Sequence, residues 1–207
     1  MSANAPAHLT AGTPLQRQLA GTEPARPGAL DALREAQRMF QAGHRVDMQA
    51  IARKLDVDRA TLYRWVGSRE QLLAEVLWHL MAKTVQRLRE PAPTGERPTA
   101  ADVITGTAEA VMTNLGMQHF LEREGDLALR LLTTKASEFQ HRLIQLIGDV
   151  VEADRRDGRL RSAVPAADLP YVLVRIMESY AYLSLITGDE PDAARAASVI
   201  RALLPTC

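Results

Sequence analysis

The spacing of helix starts along residues 46–73, VDMQAIARKLDVDRATLYRWVGSREQLL, constrains this chain more than any other feature. Asp47 is placed to cap a helix, accepting hydrogen bonds from first-turn amides that lack a partner. Met48, Ile51, Ala52 and Leu55 follow at i, i+3, i+4 and i+7, one apolar helical stripe. Asp56 and Val57 make the turn, and Asp58 caps the next helix. Leu62 and Val66 lie four apart and face a core. Arg59, Thr61, Tyr63 and Arg64 fall outside that stripe. Ser68 and Gln71 have the spacing of a capping box, which starts a further helix.

Two short helices joined by a tight turn, the second with a basic, aromatic and hydroxyl face, fit the major groove of DNA. The second helix of such a unit enters the groove with its N-terminal residues nearest the base edges. Arg59 is then the candidate for reading guanine, because its fork matches O6 and N7. Ala60 or Thr61 would touch a thymine methyl. Tyr63, Arg64, Trp65 and Arg69 suit phosphate contacts, which position a protein without reading sequence. Arg45, just before the unit, is a further phosphate candidate. The alternative for Tyr63 and Trp65 is packing in the core of a helical hairpin.

Residues 57–72, VDRATLYRWVGSREQL, resemble the signature of the TetR family of transcriptional regulators: T-L-Y, an aromatic, an apolar residue, then S-(K/R)-E-x-L. The resemblance spans residues 30–73. Asp58 stands where serine is usual, Trp65 where tyrosine or histidine is, Val66 where phenylalanine is and Arg69 where lysine is. Asp56 replaces the common turn glycine, which points to a turn that is strained or differently shaped. The resemblance implies a helical body that binds a small-molecule effector and forms a homodimer.

Composition agrees with an all-α protein. Hydrophobic residues make up 46% of the 207 positions, enough for a core, and aromatics only 4%. Alanine, leucine, arginine and glutamate are abundant, and β-branched runs are few. The net charge is zero but uneven: residues 1–90 hold 13 Lys/Arg against 9 Asp/Glu, and residues 91–207 hold 12 against 16. A basic half beside an acidic half suits a DNA-binding head on a body that does not bind DNA.

Several function classes are excluded at this level. The chain carries no G-x-S-x-G, phosphate loop, H-E-x-x-H or Cys/His pair. No catalytic residue is expected, and neither a metal nor a cofactor. The one cysteine, Cys207, supports no disulfide framework and fits a reducing cytoplasm. The N-terminus lacks the apolar segment of a signal peptide. The most apolar stretch, 169–187, carries Arg175 and Glu178 near its middle, which argues against a membrane helix. A helical ligand-binding or scaffolding protein without DNA binding remains as the alternative, because Asp56 and Asp58 oppose phosphate approach.

The expected organisation is a disordered arm over 1–27, a DNA-binding domain with its connecting helix over 28–90, a Pro/Gly-rich linker over 91–98, and a helical effector-binding and dimerisation domain over 99–207. In the arm, a helical turn is expected at 15–20, and Arg17 and Arg26 are within reach of a groove. A first helix is expected near 29–41 and a fourth near 69–89. The body is expected to hold helices near 99–115, 117–132, 136–157, 166–187 and 191–204, the second breaking near Glu124 and Gly125.

The helix at 166–187 is apolar on nearly all sides and needs cover that a partner subunit would supply. Ala193, Ala196, Ala197, Ile200, Leu203 and Leu204 share one face of the last helix, and the two helices suggest a four-helix dimer seam, the alternative being an intramolecular hairpin in a monomer. Candidate lining for an effector pocket is Met112, Phe120, Leu131, Phe139, Leu143, Met177 and Tyr180, with Arg175 and Glu178 as polar groups. Arg175 and Glu178 are three apart and would otherwise pair with each other. Residues 164–192 resemble the C-terminal domain of regulators that respond to γ-lactones and control quorum-quenching lactonase genes. That resemblance implies a lactone or similar small amphipathic effector.

Overall fold

The computed structural model describes residues 27–93 and 95–205, in which every regular element is helical. Residues 1–26, with Arg17, Arg26 and the expected turn at 15–20, lie outside the described residues, as does Cys207.

Helix α1 (Ala29–Gln41) starts where Asp31 accepts a hydrogen bond from the Gly28 amide at 2.9 Å. Its Ala32, Ala36 and Phe40 are buried. It ends at Gly43, whose φ of +71° lets the His44 amide fold back onto the Met39 carbonyl. Helix α2 (Met48–Lys54) is capped by Asp47, which accepts from the Gln49 and Ala50 amides at 2.7 and 3.1 Å. Helix α3 (Arg59–Val66) is capped by Asp58 and buries Leu62 completely. The turn between them puts Asp56 at φ +52°, left-handed backbone where glycine is cheapest. Asp56 therefore holds a strained turn, as the replaced glycine suggested.

Helix α4 (Arg69–Leu88) opens with the expected capping box between Ser68 and Gln71. It packs on α1 and α3, and also on the helices that follow. Leu72, Leu73, Val76, Leu77, Met81 and Val85 form its buried stripe. Residues 91–93 and 95–98 then cross without helix to α5 (Ala100–Met112), which is capped by Thr99 and packs against α4. Asp154 is 4% exposed and accepts from the Ala100 amide at 2.5 Å, fixing where α5 begins.

The body continues with α6 (Leu115–Thr133), a short 3-10 turn (Lys135–Ser137), α7 (Phe139–Arg156), α8 (Leu169–Ala181), α9 (Leu183–Ile186) and α10 (Ala193–Leu203). Helix α6 kinks at Glu124 (φ −135°, ψ 39°), where a break was expected. Helix α7 starts at Phe139 rather than near 136, because Glu138 is left-handed at φ +58°.

Two expectations are corrected. The helix read over 166–187 is broken at Tyr182, whose buried ring sits where the chain turns into the four-residue α9. The alanine-rich face of α10 does not face out to a seam: Ala196, Ile200 and Leu204 are buried, and α10 packs on α5 and α8 of its own chain. The sites left open lie on the other sides of these helices, with Tyr171 53%, Ile186 64% and Val199 37% exposed.

Head and body meet closely where α6 crosses the end of α1. A Cβ on Gly116 would stand 2.1 Å from the Phe40 carbonyl oxygen, so only glycine permits this approach. Phe40 and Phe120 meet edge to face beside it, with centroids 6.0 Å apart. Gly116→Ala is expected to lower stability by about 1–3 kcal/mol, as overpacking against rigid backbone does. Chemical denaturation of the two proteins checks this, and an unchanged midpoint would refute the contact.

Candidate nucleic-acid interface and effector cavity

The recognition face is built from the caps upward. The Asp58 carboxylate accepts from the Thr61 amide at 2.7 Å and from its hydroxyl at 2.9 Å. These bonds, the amide first, hold its carboxyl below the usual range. The cap leaves Arg59, Ala60, Tyr63 and Arg64 exposed on α3, with Thr61 half-buried between them. The Arg59 guanidinium lies 5.9 Å from the Tyr63 ring centre, and Arg64 reaches the Thr61 hydroxyl at 3.4 Å. Trp65 is half-buried and packs against the core, which is the alternative reading of that residue.

Arg69 departs from its expected place on the phosphate-facing side. It is turned inward with its side chain 19% exposed. Nη2 and Nη1 donate to the Glu124 carboxylate at 2.6 and 2.8 Å, and Nε donates to the Val46 carbonyl at 2.7 Å. Arg45, 69% exposed, stands 3.5 Å from the same carboxylate. Burial raises the Glu124 carboxyl, but the Arg69 hydrogen bonds and charge, with Arg45, outweigh it and hold the group below its ordinary value. Nearby, the Gly43 carbonyl lies 3.0 Å from His119 Nδ1 and accepts from Arg123 at 3.3 Å. Glu124 and His119 were not singled out from the sequence; the break near Gly125 was the only local signal.

In the body, Met112, Phe139, Leu143, Met177 and Glu178 come together around a cavity of about 30 Å³, with Met81, Met117 and Tyr182. An adjoining cavity of about 50 Å³ shares Met81, Val111, Met117 and Phe139 as walls. Each space is the size of about one or two waters. Arg175 does pair with Glu178, at 2.6 Å, and Gln140 bonds both. Burial pushes the Glu178 carboxyl up, and Arg175 and Gln140 offset only part of this. Burial, with the Glu178 charge added, also pushes the Tyr182 phenol well up. Tyr182 was missed because its place depends on the break before α9.

Three of the candidate lining residues lie elsewhere. Phe120 packs on Phe40 at the head–body contact. Tyr180 lies under Arg195 of α10, 5.9 Å from its ring centre. Leu131 lines an open cleft of about 620 Å³ between head and body, walled by Leu30, Leu33, Trp65 and Val66. Two ion pairs bridge this cleft, Glu70 to Arg130 at 2.6 Å and Glu75 to Arg142 at 2.8 Å. Arg142 also stacks on Trp78, 4.1 Å from its ring centre. Among the described residues no cluster of His, Cys, Asp and Glu could hold a metal ion, and no helix is long and apolar enough to cross a membrane.

A helix-turn-helix with an exposed second helix, mounted on a helical body, defines a DNA-binding regulator. The family model for the tetracyclin repressor-like, C-terminal domain matches residues 95–205, more than half of the chain. The chain belongs to the TetR family of transcriptional regulators. Members of this family are non-enzymatic transcription factors that bind operator DNA as homodimers and take small-molecule effectors. The chain is similar to the R. erythropolis transcriptional repressor QsdR from the TetR family, with 25% identity, 85% of this chain and 93% of that chain covered, and a TM-score of 0.69. E. coli NemR in its reduced form shares the fold at 14% identity, covering 86% of this chain and 97% of that one, TM-score 0.53. Salmonella enterica GusR shares it at 17% identity, covering 85% and 94%, TM-score 0.52. Comparison with curated proteins finds no match.

The hinge from α3 to α4 rests on Gly67, at φ +69° and ψ −143°, where a Cβ would stand 2.2 Å from the capping Gln71 oxygen. Gly67→Ala should cost about 1–3 kcal/mol through backbone strain. It should also weaken DNA binding by tilting α3 on α4. Thermal melts with a DNA titration test this; intact binding would show that the hinge does not set the angle of α3.

Proposed function

We propose that this chain is a cytoplasmic, dimeric repressor released from its operator by a small-molecule effector. In this reading residues 28–90 form the DNA-binding unit, 91–98 the linker, and 99–207 the effector-binding and dimerisation unit. One observation carries it: the cap, the turn and the buried Leu62 leave Arg59, Ala60, Tyr63 and Arg64 together on the open face of α3. Arg59 reads a base, Ala60 and Thr61 border it, and Arg45, Tyr63 and Arg64 meet phosphates. Trp65 acts through packing instead, and Arg69 through its bonds to Glu124 and the Val46 carbonyl. The repressor assignment draws support from the likeness to QsdR, itself described as a transcriptional repressor. Exposed Tyr171, Ile186 and Val199 supply apolar surface for the second subunit.

Selection of bound sites from random DNA tests the reading, and an enriched palindrome is the expected result. On that site Arg59→Ala should lose about 1–3 kcal/mol and relax one base preference. Arg64→Ala should weaken all sequences alike and flatten the salt dependence by about one unit of slope per head. Identical behaviour of the two variants would refute this division of roles.

The effector proposed is a γ-lactone with an apolar tail. The methionine-lined cavities are too small for it as they stand, but unbranched methionines move aside readily. Glu178, paired with Arg175, borders the cavity as an acidic group, and the Tyr182 phenol beside it can donate to a ring carbonyl. Such lactones should displace the operator, and their ring-opened hydroxy acids should not, since a carboxylate would face Glu178. Tyr182→Phe should lower lactone potency about three- to tenfold. Fluorescence anisotropy of labelled operator measures both, and release by the open acid would sink the lactone assignment.

A further inference from the structure

The crevice between α1, α4 and the α6 kink gathers Arg45, Arg69, Arg123, His44 and His119 around one carboxylate, that of Glu124. Two of these arginines, Arg69 and Arg45, stand on that carboxylate at the edge of the helix-turn-helix, while Arg123 turns to the Gly43 carbonyl. Arg69 spends its donors on Glu124 and on the Val46 carbonyl, which immediately precedes the Asp47 cap of α2. Arg45 is mostly exposed, yet its Nε stands 3.5 Å from Glu124. A carboxylate flanked by two guanidinium groups occupies the position a backbone phosphate oxygen would take between the same donors. Glu124 also sits at the non-helical residue of α6, so the carboxylate moves if the kink changes.

We propose that Glu124 is an internal competitor for the DNA backbone. It neutralises arginines beside the reading head, and the α6 kink sets how far it does so. This rests on the reading of the head as DNA-binding and adds a regulatory residue to it. In this reading the body contributes a charge that the phosphate must displace. Straightening or deepening the kink would withdraw or press home that charge. Coupling of this kind needs no long relay, since the body carboxylate touches the head arginines directly.

The test is salt-dependent binding of the full chain to an operator selected from random DNA, with three variants beside the wild type. Glu124→Gln keeps the shape and removes the charge. Glu122→Gln removes a charge two residues away on the same helix, where the side chain is exposed. Arg45→Gln is combined with Glu124→Gln in the third variant. Glu124→Gln should bind about two- to tenfold tighter at low salt, with a slope steeper by about one unit per head, as expected for one added phosphate contact. Glu122→Gln should leave the slope unchanged. Adding Arg45→Gln should cancel the gain. Circular dichroism confirms that each variant keeps its helices, and loss of helix in Glu124→Gln would make Glu124 a structural residue and overturn the proposal. Weaker binding with an unchanged slope would overturn it too, as would equal behaviour of the 124 and 122 variants. A wild type that binds no DNA at any salt would refute the DNA-binding reading and this proposal with it, whereas wild-type binding with a slope unmoved by Glu124→Gln refutes this proposal alone.

Discussion

The burial of one stripe of α4 against two sets of helices is the interaction on which the rest of the molecule depends. At one end, Leu73 lies beside Phe40 and Val46; further along, Met81 lies beside Met112 and Phe139. A twenty-residue helix spans about 30 Å, so it can serve both groups without bending. Its start is held by the Ser68–Gln71 box and by Gly67, which sets the angle of α3. The recognition face, the crevice around Glu124 and the body cavities are therefore all referred to one rigid element.

The parts of this structure governed by local chemistry were legible in the sequence. Asp47, Asp58 and Ser68 cap the helices they were expected to cap, because a cap needs only amides two or three residues away. The stripe of Met48, Ile51 and Ala52 is buried, and Asp56 takes the left-handed turn. The kink of α6 was also visible, next to a glycine. What periodicity conveys is that a face is covered, not by what. The face of α10 containing Ala196 and Ile200 is indeed covered, but by α5 and α8 of the same chain.

The candidate site shows the same limit. An arginine at the start of a helix next to a recognition helix looks free in sequence, yet Arg69 finds its partner 55 residues away. The apolar run through 169–187 hides a break at Tyr182, because hydrophobicity continues across it while the backbone does not. Five of the nine residues offered for the effector cavity line it, namely Met112, Phe139, Leu143, Met177 and Glu178, and Arg175 reaches it by pairing with Glu178. Phe120, Leu131 and Tyr180 share the spacing of cavity residues but meet other helices, a distinction only tertiary contacts make.

The end of α1 carries a consequence for how the chain unfolds. A helix terminus leaves carbonyl groups without partners and a partial negative charge. Here the Gly43 carbonyl is met by His119 and Arg123, both from α6. The Val46 carbonyl is met by Arg69, which is itself held by α6 through Glu124. The head thus borrows from the body the groups that finish its own first helix and the carboxylate that holds Arg69 over its turn into α2. Separated from the body, it would expose Phe40, leave the Gly43 carbonyl to water and free Arg69 from Glu124. Folding of the two parts is then a single cooperative event, and partial melting that frees the head while sparing the body is disfavoured.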